Sequence, residues 1–252
     1  MKNNKGKRFK ESNTNPLTYI FLLICIGTMI FSGIKICIWF NENNKNSAII
    51  KEIQSSVSID QNIDSIDKYT IDFENLKSRN SDTIAWFKVN GTNVEYPIVK
   101  TNNNNFYMNH SFDKSYNSAG WVFMDYRNLF DGTDKNIIIY AHNRQDGSLF
   151  GSLKNILSPD WYNNPDNYTI SFISENEKVE YKVFSVYKIE KEDYYITTDF
   201  DNDYEFENFL NVLKSRSIKD FGVDVTADDS ILTLSTCAET SQHRVVLHAK
   251  KL

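Results

Sequence analysis

A thiol, an imidazole and a guanidinium each stand at the end of a strand-like run in this 252-residue chain. The run from Asn136 to Ala141 is continuously apolar after its first residue and delivers His142 at its end; Asn143, Arg144, Asp146 and Gly147 follow as a polar turn. The run from Thr233 to Cys237 alternates and stops at the cysteine, which a polar loop follows from Ala238 to His243. Arg244 opens the last run, Arg244 to Ala249, so Cys237 and Arg244 flank one hairpin connection. A side chain at a strand end is held by the sheet and still open to a substrate. Such a trio suits acyl transfer. A thiolate attacks a carbonyl, and a nearby cation lowers the thiol pKa. The imidazole donates a proton to a leaving amine and later accepts one from the incoming nucleophile. The guanidinium hydrogen-bonds a developing oxyanion or orients the substrate backbone. Arginine is scarce here, 6 against 22 lysines, which sets Arg244 apart from ordinary surface charge.

Spacing alone leaves other readings open. Cys237 could be a buried, inert cysteine. His248 shares the Arg244 face by strand alternation and could be a core histidine or a substitute base, whereas His243 lies in the loop and His110 follows no strand. Four dispersed histidines and one cysteine beyond residue 37 give no metal-ligand cluster at a recognised spacing, and no glycine-rich phosphate loop or dinucleotide fingerprint occurs, so neither metal nor cofactor is expected. A net charge of −5 argues against a general nucleic-acid binder.

That charge is unevenly spread. Residues 1–40 carry six basic residues against Glu11 alone, while residues 41–252 carry 22 basic against 32 acidic, a net −10. Leu17 to Ile34 are uncharged, and apolar residues resume after Lys35 with Ile36 to Phe40. As a helix the 24 residues span about 36 Å, enough for a bilayer core of roughly 30 Å. Lys35 can snorkel and Trp39 suits the interface. A cleaved signal peptide would have a shorter apolar core and end at small residues, but the first alanine is Ala48. The expected organisation is a cytoplasmic basic tail at 1–16, a retained single-pass anchor at 17–40, a helical segment at 41–81 and a β-rich domain at 82–252 facing outward. The exported part then holds one cysteine and can form no internal disulfide.

Eight strand-like runs follow Asp82: Ile84–Val89, Val94–Val99, Gly120–Met124, Asn136–Ala141, Tyr168–Ser174, Val179–Glu190, Ile231–Cys237 and Arg244–Lys250. Asn90-Gly91-Thr92-Asn93 joins the first two as a hairpin. Eight strands with few edge breakers suit a mainly β, closed barrel. Two helices interrupt them, at Ser148–Leu157 and at Tyr204–Lys214, the second with Asp203 as N-cap and an apolar stripe at Phe206, Phe209, Leu210 and Leu213.

Taken together, Thr233-Leu234-Ser235-Thr236-Cys237, Arg244-Val245-Val246 and Tyr140-Ala141-His142-Asn143 resemble the sortases of Gram-positive bacteria. Asp146 to Gly151, Trp86 to Val89 with Val94 to Val99, and a helix around 203–217 before the penultimate strand are similar to class B; the resemblance covers about residues 70–252. It implies an eight-stranded barrel in a membrane-anchored cysteine transpeptidase. Such an enzyme cleaves a C-terminal sorting signal of an exported protein through a thioacyl-enzyme on Cys237. It then transfers the protein to a cell-wall peptide amine. His142 is then the general acid/base and Arg244 the oxyanion or substrate stabiliser. By position, Asn109, Tyr195, Ile196, Ser235 and Thr236 are substrate-groove residues. One departure is visible: Ala238 stands where the family pattern places an acidic residue, and Glu239 follows. The alternatives are a pilin-polymerising sortase, a mainly hydrolytic cysteine peptidase, and a non-catalytic surface module. Papain-like order, cysteine before histidine, is reversed here.

Overall fold

The computed structural model describes residues 15–190, 192–237 and 243–252, with Cys237 described by its backbone alone. The chain divides into two compact units, Met1–Asn44 and Lys45–Leu252. The first helix, α1 (Pro16–Gln54), begins in the first unit and ends in the second. Its N-terminal part presents apolar side chains to every side, Leu23, Met29 and Phe31 among them. It is long and apolar enough to cross a membrane. The basic tail singled out above lies, through residue 14, outside the described residues.

In the second unit, Ile49 and Ile53 of α1 are buried against the core. The helical reading of residues 41–81 needs correction here. Between α1 and the helix α2 (Phe73–Arg79) lies a small antiparallel sheet of β1 (Val57–Ile59) and β2 (Tyr69–Ile71). Ile49, Ile53 and Val57 are spaced by four, which imitates a continuing helix, but Val57 pairs with Ile71 instead. Asp72 caps α2, its carboxylate accepting from the Asn75 amide at 2.9 Å.

Eight further strands close into a barrel: β3 (Thr83–Val89), β4 (Glu95–Val99), β5 (Phe123–Met124), β6 (Asn136–His142), β7 (Thr169–Ser174), β8 (Lys178–Glu190), β9 (Ile231–Cys237) and β10 (His243–Lys251). Around the barrel the order is β10-β8-β7-β3-β4-β5-β6-β9, with β9 pairing back to β10. The β3–β4 turn forms where Asn90 to Asn93 signal it, with Gly91 at φ +69°. Leu232 and Leu234 of β9 and Ile138 of β6 belong to one buried apolar cluster with Trp86, Phe87 and Phe172.

Strand β5 is shorter than the run Gly120–Met124, because Gly120 and Trp121 turn their amides to Asn117 and Tyr107 rather than to a ladder. The stretch 148–157 is not one helix. Leu149 has a positive φ and bridges back to Asn143, the Phe150 amide donates to the His142 carbonyl, and only Gly151–Leu157 continues, as 3₁₀ turns. After the short helix α3 (Pro159–Tyr162), α4 (Asp203–Ser215) precedes the penultimate strand. Its N-cap is Asn202, one residue before Asp203, since the Asn202 carbonyl side chain accepts from the Glu205 amide at 3.0 Å. Phe206, Leu210 and Leu213 of α4 are buried, with Phe184, Tyr187, Tyr195 and Val246, in a second cluster on the outer barrel face. Burying each such side chain contributes about 1.5–3 kcal/mol.

Candidate active site

Strands β6 and β9 lie side by side and parallel, and their register sets His142 opposite Cys237. Neighbouring strands run about 4.8 Å apart, so the two backbones meet at the same rim. On the other side of β9, β10 runs antiparallel and pairs Val246 with Ser235. Carried two residues on, that register brings Arg244 level with Cys237. The Val245 amide donates to Thr236 Oγ1 at 2.9 Å and ties the two strands at this end. The Cys237 thiol and residues 238–242 of the polar loop, Glu239 included, lie outside the described residues.

His142 is 9% exposed, so its ring is walled on most sides. Its Nε2 is 2.7 Å from the Met108 carbonyl oxygen. A carbonyl only accepts, so Nε2 carries the proton and Nδ1 is the basic nitrogen of the neutral ring. The carbonyl reaches the ring because of Gly120. A Cβ there, at φ +62°, would stand 2.5 Å from the Tyr107 oxygen, 2.9 Å from the Met108 oxygen and 3.0 Å from His142 Cδ2. The turn after His142 is also fixed. Burial alone would raise the Asp146 carboxyl, but hydrogen bonds from the Ser148 hydroxyl and amide, with Arg144, hold it below the usual carboxylate range.

Beside this rim lies a cavity of about 190 Å³. Of the residues singled out from sequence, Tyr195, Ile196, Ser235, Thr236 and Arg244 line it together. Tyr195 and Ser235 are buried and share a hydrogen bond, hydroxyl to hydroxyl, of 2.9 Å. Asn109 does not line the cavity; it caps the 3₁₀ turn Phe106–Met108 and its carbonyl accepts from the Asn117 amide at 2.9 Å. The cavity also takes Asn104, Met108, Phe123, Tyr140, Glu192 and Asp193, none of which the sequence marks as a groove residue. Glu192, which pairs with Arg216 at 3.4 Å, and Asp193 put two carboxylates in the same lining as Arg244. A larger cavity of about 300 Å³, lined by Asp134, Ile137, Tyr181 and Ser230 among others, lies toward the opposite ends of β6 and β9 and so away from His142.

The rival histidines are elsewhere. His248 is fully buried, burial pushes its pKa down to about 3, and it is bonded on both ring nitrogens, to Thr233 and Tyr187. It is therefore a neutral core histidine. His243 is exposed, and His110 stacks on Phe106 at 4.1 Å.

Arranged this way, the backbone of a strand-end cysteine, an imidazole with one fixed proton and an arginine meet at one barrel rim; among the described side chains of the three, Arg244 lines the groove and His142 does not. The comparisons with known proteins agree in kind. A family model described as the sortase domain matches residues 87–252. Sortase B of Listeria monocytogenes is 32% identical over 232 residues, covering 90% of this chain and 94% of its own. Sortase B of Staphylococcus aureus is 32% identical over 238 residues, covering 93% and 96%. The crystal structure of sortase B from B. anthracis in complex with AAEK1 superposes with a TM-score of 0.74 at 30% identity, covering 84% of this chain and 99% of that one.

Proposed function

We propose a division of labour on one premise: the chain belongs to the sortase family, class B, and is a cysteine transpeptidase that anchors surface proteins to the cell wall. Its substrates carry a sorting signal, and its acceptors are cell-wall amines. Cys237 is the nucleophile. As the thiolate, its sulfur attacks the scissile carbonyl carbon and forms a tetrahedral oxyanion, which Arg244 hydrogen-bonds. His142, protonated on both nitrogens at this stage, gives the Nδ1 proton to the departing amine, and the carbon–nitrogen bond breaks. The thioacyl-enzyme remains. The acceptor amine then attacks the same carbon, His142 Nδ1 takes its proton, and the thiolate leaves. One amide is exchanged for another, with no redox step and no net proton change.

The observation that carries this reading is the backbone register: His142 and Cys237 are partners on adjacent parallel strands, with Arg244 on the next strand. Tyr195, Ile196, Ser235 and Thr236 would receive the sorting signal in the cavity beside them. Asn109 would act through the turn it caps, next to the Met108 carbonyl that holds the histidine. The 17–40 segment would span the membrane once, with the basic 1–16 tail in the cytoplasm and residues 41–252 outside.

The test is a peptide-library cleavage assay with the full chain in detergent. Wild type should release the C-terminal fragment, form a thioester visible by mass spectrometry, and give an amide product when an amine is added. Cys237→Ala should stay folded and do none of these; cleavage and transfer by that variant would reject the assignment. Impermeant thiol labelling on whole cells reads the topology, since Cys237 should react from outside.

A further inference from the structure

The groove wall at residues 194–197 is not a free loop. Three consecutive carbonyls of this short turn are each held by a side chain from another segment. Asn136 Nδ2 donates to the Thr197 carbonyl at 2.9 Å and to that of Tyr195 at 3.4 Å. Between them, Arg127 Nη2 donates to the Ile196 carbonyl at 2.9 Å. Arg127 is itself aimed. Its Nε and Nη2 fork onto the two oxygens of Asp125 at 2.9 and 2.7 Å, and its own amide donates to Asp125 Oδ1 at 2.9 Å. Asp125 is fully buried. Its Oδ2 also accepts from Tyr140 Oη at 2.9 Å and from Asn104 Nδ2 at 3.0 Å.

Three lining residues of the groove, Asn104, Tyr140 and Ile196, thus come from three separate stretches of chain and converge on one ion pair. Arginine suits this post and lysine does not. A planar fork can hold a carboxylate with two donors and still present a third N–H to a carbonyl. A single ammonium can neutralise the carboxylate but cannot copy that geometry.

We propose that Arg127 is a positioning residue for recognition of the sorting signal: by holding the Ile196 carbonyl while clasped by Asp125, it fixes where the Ile196 wall stands relative to Tyr140 and Asn104. This rests on the cavity being the substrate groove. Arg127 touches no reacting atom, so its loss acts on binding. A wall ordered before binding spares the substrate the entropy of ordering it.

The experiment compares Arg127→Lys, Arg127→Gln and Ile196→Ala in the full chain in detergent. The probe is the best-cleaved quenched-fluorescent peptide from the library, with hydroxylamine at fixed concentration as nucleophile and the folded fraction set by thermal unfolding. Arg127→Lys and Arg127→Gln should each raise KM about tenfold, the loss of one hydrogen bond from a charged donor, with kcat within about twofold of wild type. If KM stays at the wild-type value in either folded Arg127 variant while Ile196→Ala raises it, the positioning role is overturned and the groove stands. If Ile196→Ala also leaves KM unchanged, the groove reading falls and takes this inference with it. A merely structural role would lower the unfolding temperature and leave KM where it was, and that outcome also overturns the proposal.

Discussion

The ring of His142 and the backbone of Met108 are joined by a 2.7 Å hydrogen bond from Nε2 to the carbonyl oxygen. The bond does two things for a general acid/base. It stops the ring rotating, and it makes Nδ1 the nitrogen whose proton comes and goes. The carbonyl is delivered by the turn Phe106–Met108, which packs against Gly120 and Trp121, the residues that lead into β5, the strand that pairs with β6.

Gly120 is the point at which this arrangement can be broken without replacing a reacting group. Gly120→Ala places a Cβ against the Met108 oxygen and the imidazole edge and imposes a positive φ on alanine. The backbone strain costs about 1–3 kcal/mol of stability, a loss read as a lower denaturant midpoint. A histidine moved by a fraction of an ångström should lower kcat by about tenfold to a hundredfold. Single-turnover thioester formation followed against pH would show the altered proton transfer; an unchanged profile would mean the carbonyl does not tune the ring.

Arg244 and a lysine in its place would carry the same charge but not the same geometry. Arg244→Lys is expected to lower kcat about a hundredfold, the loss seen when an oxyanion donor is removed, and to change peptide KM far less. A KM effect with kcat preserved would move Arg244 from transition-state stabilisation to substrate binding.

Tyr195 and Ser235 form a buried hydroxyl pair between the groove wall and the strand that carries the cysteine. Tyr195→Phe or Ser235→Ala leaves the other hydroxyl with one partner fewer, at about 1–2 kcal/mol each. The double variant should cost less than the two singles added, with a coupling of about 0.5–1 kcal/mol in urea unfolding. Additive losses would show that the two hydroxyls do not support one another.

The sequence made some of this legible for identifiable reasons. The apolar run that became β6 carries its own ending, so His142 could be placed at a strand end, and the stripe Phe206, Leu210 and Leu213 announced α4. Eight alternating or apolar runs were enough for a closed barrel. What escaped notice was carried by backbone atoms or by tertiary reach. The Met108 carbonyl has no signature, because any residue supplies one. Gly120 reads as the first residue of a strand-like run, and its role shows only beside the His142 ring. The β1–β2 sheet hid behind a four-residue spacing. Arg127 could have been suspected from the same scarcity of arginine that drew attention to Arg244, but its target, the Ile196 carbonyl, is 69 residues away.

His248 provides a stability test that does not depend on catalysis. Tyr194 donates its hydroxyl proton to Tyr187, so Tyr187 must donate to His248 Nε2; Nδ1–H then donates to Thr233 Oγ1, which donates to Asn136. Every proton in this buried chain has one direction, and a doubly protonated ring would set two donors face to face at Tyr187. The folded pKa is about 3 against 6.5 for the free side chain, with burial as the cause. Between those values the unfolded chain binds a proton that the folded one refuses. Stability is therefore complete well above pH 6.5 and falls as pH drops toward 3, by up to about 1.4 kcal/mol for each pH unit inside that window. The depressed carboxylates Asp113, Asp125, Asp146 and Asp229 also lose stability on acidification. Their unfolded value is 3.8, so they act below about pH 4. The interval from pH 6.5 to 4.5 is left to groups in the histidine range. Urea midpoints of the full chain in detergent should decline across it. In His248→Gln, which keeps one donor and one acceptor, the decline should be smaller by the His248 share. An equal decline in both proteins would show that His248 accepts its proton inside the fold.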